Sequence, residues 1–185
     1  MRRQQQQHRR RRLHTLALDL DETMVHVRVD EVRGALEVWL RPGLGLLLRY
    51  LGARGVRAAV YTAACAEYAW PIVDMVERDA GVHFHRRLCD LHLTPDGRKD
   101  VARHFGADGC TVLVDDNPRH AELQPQDVWL LPPFRGDPRD RELVRVLLLL
   151  ARHVEVVPPP SSSTAARFNS RTAAPTSSTD GGGGA

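Results

Sequence analysis

Lysine is almost missing from this 185-residue chain: of its 26 basic residues only Lys99 is a lysine, and the other 25 are arginines. Asparagine and isoleucine are scarce too, while Ala, Gly, Pro and Arg abound, as in a strongly GC-biased coding sequence. Under that bias arginine serves wherever a plain surface charge suffices. A lysine that survives it marks a place where a compact ammonium does what a planar guanidinium does not, such as sharing one point charge between a phosphate and a carboxylate. Cysteine is sparse as well. Cys65, Cys89 and Cys110 are odd in number and show no C-x-x-C spacing, which argues against a disulfide framework or a zinc site and suits a reducing compartment. The longest wholly apolar run, Val146 to Ala151, is far too short to span a bilayer. The first residues lack the apolar segment of a secretory signal. An intracellular setting, nucleus or cytoplasm, is therefore expected, with no membrane partner.

The ends differ in composition from the middle. Residues 1–12 are Arg, Gln and His after Met1, with no acid, and 157–185 are mainly Pro, Ser, Thr, Ala and Gly. Neither segment buries enough apolar surface to order itself, so both are expected to be disordered. Residues 13–156, about 140 residues, remain for one folded domain. The arm carries +6 and the tail +1 of the formal +3, which leaves −4 on the residues between. The pI near 9.0 thus belongs to the arm, whose arginines suit a nuclear address or a plain solvated extension. The folded part has no basic footprint, and no direct nucleic-acid partner is expected of it. A monomer is expected.

Hydrophobic spacing gives a strand over 14–20 and a half-buried hairpin from Val25, Val27, Val29 and Leu36, Val38, Leu40. A helix follows Pro42, with Leu44, Leu47, Leu48 and Leu51 as its stripe. Val56 to Thr62 reads as a strand, and 64–78 as a helix that Pro71 should distort. His83 to Leu93 is ambiguous and leads to a turn at Pro95-Asp96-Gly97. A short helix at 100–105, strands at 110–114 and 128–131, and a closing helix at 142–153 complete the order. Alternating strands and helices predict an α/β fold: a mainly parallel sheet with helices on both faces. Ligands of such sheets bind beyond the carboxyl ends of the strands. Asp19, Asp21, Thr62, Asp115 and Asp116 all fall at that end. His83, His85 and His92 read as solvated side chains, and Trp39 and Trp129 as core.

Five segments carry a resemblance that covers about residues 14–153. Asp19-Leu20-Asp21-Glu22-Thr23 with Val25-His26, Arg41-Pro42-Gly43, Tyr61-Thr62-Ala63-Ala64 with Glu67-Tyr68-Ala69, Lys99-Asp100, and Val114-Asp115-Asp116-Asn117-Pro118 stand in order. Together they resemble the haloacid dehalogenase superfamily, and within it the FCP/SCP-type phosphatases of the RNA polymerase II C-terminal domain. The resemblance implies a Rossmann-like sheet with a short hairpin insertion and no large cap, over a phosphatase-like catalytic domain at 13–156. It also implies Mg²⁺ as cofactor and a phosphorylated protein or peptide as partner.

Phosphoryl transfer needs an in-line nucleophile, neutralised equatorial oxygens and a proton for the leaving alkoxide. On the resemblance, Asp19 is the nucleophile and Asp21 the acid and base. Mg²⁺ would sit on Asp19, the Asp21 carbonyl and Asp116, with Asp115 at the metal-bound water or orienting Lys99. Thr62 and Lys99 would hold the phosphoryl group, with Thr23 and Ala63 beside it. Lys99 is expected at the rim of a polar cleft, where its charge adds little to folding. Three departures stand out: Asp116 where many relatives have Asn, Trp70 where an Asp usually follows, and Arg87-Leu88-Cys89-Asp90 with a short link to Lys99. The resemblance leaves two alternatives open, a non-catalytic scaffold like the mitochondrial import-translocase subunit of this fold and a small-molecule phosphatase.

Overall fold

The computed structural model describes residues 11–31 and 34–156. The expected disordered arm and tail lie outside these residues, except that Arg11 and Arg12 belong to a strand. At the centre is a five-stranded parallel sheet built from β2 (Thr15–Leu18), β5 (Arg57–Tyr61), β6 (Arg86–Leu88), β7 (Thr111–Asp115) and β8 (Val128–Leu130). Their spatial order is β6-β5-β2-β7-β8, so β2 lies in the middle with β5 and β7 on its flanks. Thr15 to Leu18 pair with Arg57 to Val60 on one side and Thr111 to Val114 on the other. Successive strand residues face opposite ways, and the core divides accordingly. Leu16, Leu18, Val60, Val112 and Val114 join one hydrophobic cluster, while Ala17, Ala59, Tyr61 and Leu113 join the other.

The first cluster is covered by α1 (Leu44–Ala53), α2 (Ala66–Ala80) and α4 (Glu142–His153), through Leu44, Leu47, Leu48, Leu51, Val73, Val76, Leu143 and Leu150. The second is closed by the five-residue α3 (Val101–Phe105) and short 3-10 turns. Helices thus cover both faces, but unequally. α2 runs through Pro71 without interruption. The proline is exposed near the start of the helix, where its missing N–H costs only the bond to the carbonyl of Glu67, itself an exposed residue. Glycine is required at Gly43, where φ is +89° and an added Cβ would meet Val144 Cγ2 at 3.0 Å. That approach seats α1 against α4.

Two small pairings lie outside the main sheet. The hairpin β3 (Val25–Asp30) and β4 (Ala35–Leu40) pairs antiparallel. β1 (Arg11–Leu13) pairs parallel with β9 (Val154–Val156), a strand the sequence pattern does not announce. Trp129 packs against the core as expected, whereas Trp39 is half-buried and stacks on His26 at 5.7 Å. His83 bonds Glu77, and His92 lies beside Cys89. Among the described residues no helix is long and apolar enough to cross a membrane.

Candidate active site

The three central strands end side by side, and their last residues carry the polar groups. Asp19 follows β2 and its amide still donates to the Val114 carbonyl at 2.9 Å, so the carboxylate is fixed at the sheet edge. Thr62 follows β5, its amide on the Leu88 carbonyl, and Asp115 closes β7. Lys99 comes from the turn before α3, and its carbonyl accepts from Gln124 Nε2 at 2.8 Å. Its ammonium donates to Asp19 Oδ1 at 2.5 Å and to Asp115 Oδ2 at 2.7 Å. Lys99 is 0 % exposed and Asp19 7 %. The expected rim position is therefore corrected: the lysine is an interior cation wedged between two carboxylates, with the Tyr61 ring 5.8 Å away.

The remaining contacts fix the other candidates. Asp115 Oδ1 accepts from the Asn117 amide at 2.9 Å, so both Asp115 oxygens are engaged and the residue holds Lys99. Thr23, expected beside phosphate, is buried and donates to Asp116 Oδ1 at 3.3 Å. Thr62 Oγ1 accepts from the Ala64 amide at 3.1 Å, which leaves its proton for an oxygen across the cleft, and Ala63 is exposed next to it. One oxygen each of Asp19, Asp115 and Asp116 lie within 4.8 Å of one another. The Asp21 carboxyl is directed elsewhere, accepting from the Tyr68 hydroxyl at 2.5 Å.

Charge explains the electrostatics. One ammonium faces two buried acids, with Asp116 beside them. Burial pushes Asp19 up to about 7 against the pull of Lys99, and the neighbouring Asp115 charge pushes the same way. Burial opposes the Lys99 charge, but Asp19 and Asp115 outweigh it and hold its pKa above the ordinary value. Asp116 is raised by burial and by Asp115, and Asp21 by burial. This surplus of negative charge on hard oxygen donors fits a small divalent cation such as Mg²⁺.

The turn after Asp19 is held from outside. Glu22 has φ +58°, an uncommon value for a side-chain-bearing residue. Its carbonyl accepts from the Phe134 amide at 2.6 Å and from Arg41 Nη1 at 3.3 Å. Arg41 is 1 % exposed and also makes two 2.9 Å bonds to Asp140 and one of 2.8 Å to the Pro132 carbonyl. Burial works against the Asp140 carboxylate, yet these Arg41 bonds hold its pKa below the ordinary value. Sequence reasoning noted Arg41 but missed Asp140, Phe134 and the Tyr68 contact. Only the Asp-Pro-Arg-Asp turn before the last helix hinted at the first.

A buried lysine bridging two strand-end aspartates, with a third carboxylate converging on them at the edge of a parallel α/β sheet, is the arrangement that the resemblance to haloacid dehalogenase-type phosphatases implies. The chain belongs to the NLI interacting factor-like phosphatase family, whose model matches residues 14–158. It is 31 % identical over 161 residues to a probable C-terminal domain small phosphatase of Dictyostelium discoideum, covering 78 % of this chain and 52 % of that protein. It is 26 % identical over 140 residues to the mitochondrial import inner membrane translocase subunit tim50 of Neurospora crassa, covering 75 % of this chain and 26 % of that protein. The chain thus spans about half or less of the length of these relatives. In fold it is similar to Fcp1, an essential RNA polymerase II CTD phosphatase, with TM-score 0.57, 18 % identity, 89 % of this chain and 55 % of that one covered.

Proposed function

We propose that this domain is a Mg²⁺-dependent phosphatase that works through an aspartyl-phosphate on phosphoserine or phosphothreonine of a protein such as the RNA polymerase II C-terminal domain. The observation that carries the reading is Lys99, buried between Asp19 and Asp115 at the carboxyl edge of the sheet. Such a cation lies where a phosphate and its nucleophile meet. Asp19 attacks phosphorus as the ester oxygen leaves with a proton from Asp21, and the Asp21 carboxylate then takes a proton from the water that hydrolyses the intermediate. Lys99 and Thr62 hold the phosphoryl oxygens, Thr23 steadies Asp116, and Asp115 steadies Lys99. Asp19, the Asp21 carbonyl and Asp116 are the groups that would hold Mg²⁺, which when bound neutralises phosphoryl charge as a Lewis acid.

Among the described residues the one insertion near the site is the β3–β4 hairpin, which leaves the cleft open and favours an extended substrate over a small enclosed one. The likeness to translocase subunits supports a scaffold reading in its place, whereas the presence of both first-motif aspartates, Asp19 and Asp21, favours catalysis. Activity of the purified protein on a panel of phosphoserine and phosphothreonine peptides, with p-nitrophenyl phosphate as reference, tests the proposal. Mg²⁺-stimulated hydrolysis of peptides is the expected result. No turnover of any ester would return the domain to the scaffold class, and turnover of small esters alone would move it to the small-molecule phosphatases.

A further inference from the structure

We propose that Tyr68 is a positioning residue that holds the Asp21 carboxyl on the α2 side of the site, so that it serves the leaving group and not the cation. The inference rests on the phosphatase reading above and deepens it. β2 ends at Leu18 and the chain bends at Leu20 and turns from Glu22, so the two aspartates, though two positions apart, do not face the same neighbours. Asp19 turns to Lys99 and joins the oxygen cluster with Asp115 and Asp116, while Asp21 lies outside that cluster and accepts from the Tyr68 hydroxyl at 2.5 Å.

The holder is itself anchored. Tyr68 lies in the first turn of α2, half-buried against the core, and Ala69, Ile72, Val73 and Val76 of the same helix are buried. The groups facing the Asp21 carboxyl are the Tyr68 phenol, Glu22 and Lys99. Glu22 repels it and Lys99 attracts it, so without the phenol the carboxylate would turn toward the lysine and any cation bound beside it. The phenol is the donor in this bond, and Asp21 Oδ1 accepts from it. With Oδ1 occupied by the phenol, Oδ2 is left to exchange the proton. That oxygen gives its hydrogen to the departing alkoxide as the phosphorus–oxygen bond breaks and the Asp19–phosphorus bond forms. It later accepts a hydrogen from the attacking water as the Asp19–phosphorus bond breaks.

A positioning role for the acid has a signature that general loosening of the site lacks. A good leaving group scarcely needs protonation, whereas an alkoxide does. The test is Tyr68→Phe, with kcat/KM measured for p-nitrophenyl phosphate, phenyl phosphate and a phosphoserine peptide. Thermal melting and inhibition by beryllium fluoride serve as controls for fold and nucleophile. The expected loss is under about 3-fold for p-nitrophenyl phosphate and roughly 10- to 30-fold for the peptide, a fraction of the whole acid–base contribution of roughly 10²–10⁴-fold. In an Asp21→Asn background Tyr68→Phe should then add almost nothing, because both changes disable one unit. Equal losses across the series, no loss on the peptide, or a full additional loss in the Asp21→Asn background would each overturn the proposal. A wild-type protein inactive on all three esters would instead overturn the phosphatase reading, and this role with it.

Discussion

Replacing Lys99 by methionine removes one charge from the interior while keeping the length and shape of the side chain. In the wild type the ammonium is 0 % exposed and lies 2.5 Å and 2.7 Å from two carboxylate oxygens. At an effective dielectric near 20, a unit pair at such separations attracts by roughly 6 kcal/mol. Desolvation offsets much of this, and removing one partner of a buried pair leaves a net cost of about 3–5 kcal/mol. Lys99→Met should therefore destabilise the domain by about that amount in urea melts at pH 8 with EDTA present. The loss should shrink toward pH 5, because burial raises Asp19 and removing Lys99, which lowers it, raises it further, so the carboxyl takes up a proton and removes one of the two orphaned charges. Lys99→Arg isolates the other half of the argument. It keeps the charge but forces a larger planar group into the same space, with a stability loss of about 1–3 kcal/mol from overpacking. Its kcat/KM should fall roughly 10²-fold or more, the scale of losing one preorganised donor. A Lys99→Met protein as stable as wild type, or near-wild-type kinetics for Lys99→Arg, would refute the reasoning at its centre.

Asp19→Asn should abolish turnover yet stay folded, since the amide is nearly isosteric, and mass spectrometry should find no trapped phosphoryl adduct; substantial residual activity would refute covalent catalysis by this residue. Mg²⁺ or Mn²⁺ should activate and Ca²⁺ inhibit, because its larger and looser coordination misplaces the nucleophile; activity that survives EDTA and dialysis would contradict the metal assignment. The Arg41–Asp140 clamp predicts a pH dependence of folding. Asp140 is depressed in the folded state, so its contribution is present above the ordinary carboxylate pKa of 3.8 and is lost as pH falls below that value through the folded pKa. Urea melts of wild type and Asp140→Asn should thus differ at pH 7 and converge as pH falls through the folded pKa, below 3.8, and a constant gap would rule the linkage out.

Much of the fold was legible because apolar spacing reports which face is buried. The strand ends at Asp19, Thr62 and Asp115 follow directly from runs that close on polar residues. Lys99 stood out through composition alone. Its burial did not, because Pro95-Asp96-Gly97-Arg98 before it reads as a solvated turn, and the cover comes from Tyr61 and Gln124 on other elements. The Arg41–Asp140 pair joins residues 99 positions apart, and local pattern carries no information at that range. Tyr68 stood in the sequence only as part of the Glu67-Tyr68-Ala69 segment, since spacing predicts a face but not what a terminal hydroxyl touches. β1 and β9 have three residues each, too few for alternation to show.

That short pairing of β1 with β9 sets how the domain sits within any longer polypeptide. Arg11 lies opposite Val154 and Leu13 opposite Val156, so the two exits of the folded unit are neighbours on one ribbon. β1 leads straight into the first residue of β2, at the amino edge of the sheet, while the carboxylates cluster at the carboxyl edge. Because the pair is parallel, the chain enters at the Arg11 end of the ribbon and leaves at its Val156 end, running on in the direction of β1, at the edge of the sheet away from Asp19, Thr62 and Asp115. The junctions of the folded unit and the cluster of carboxylates thus lie at opposite edges of the sheet.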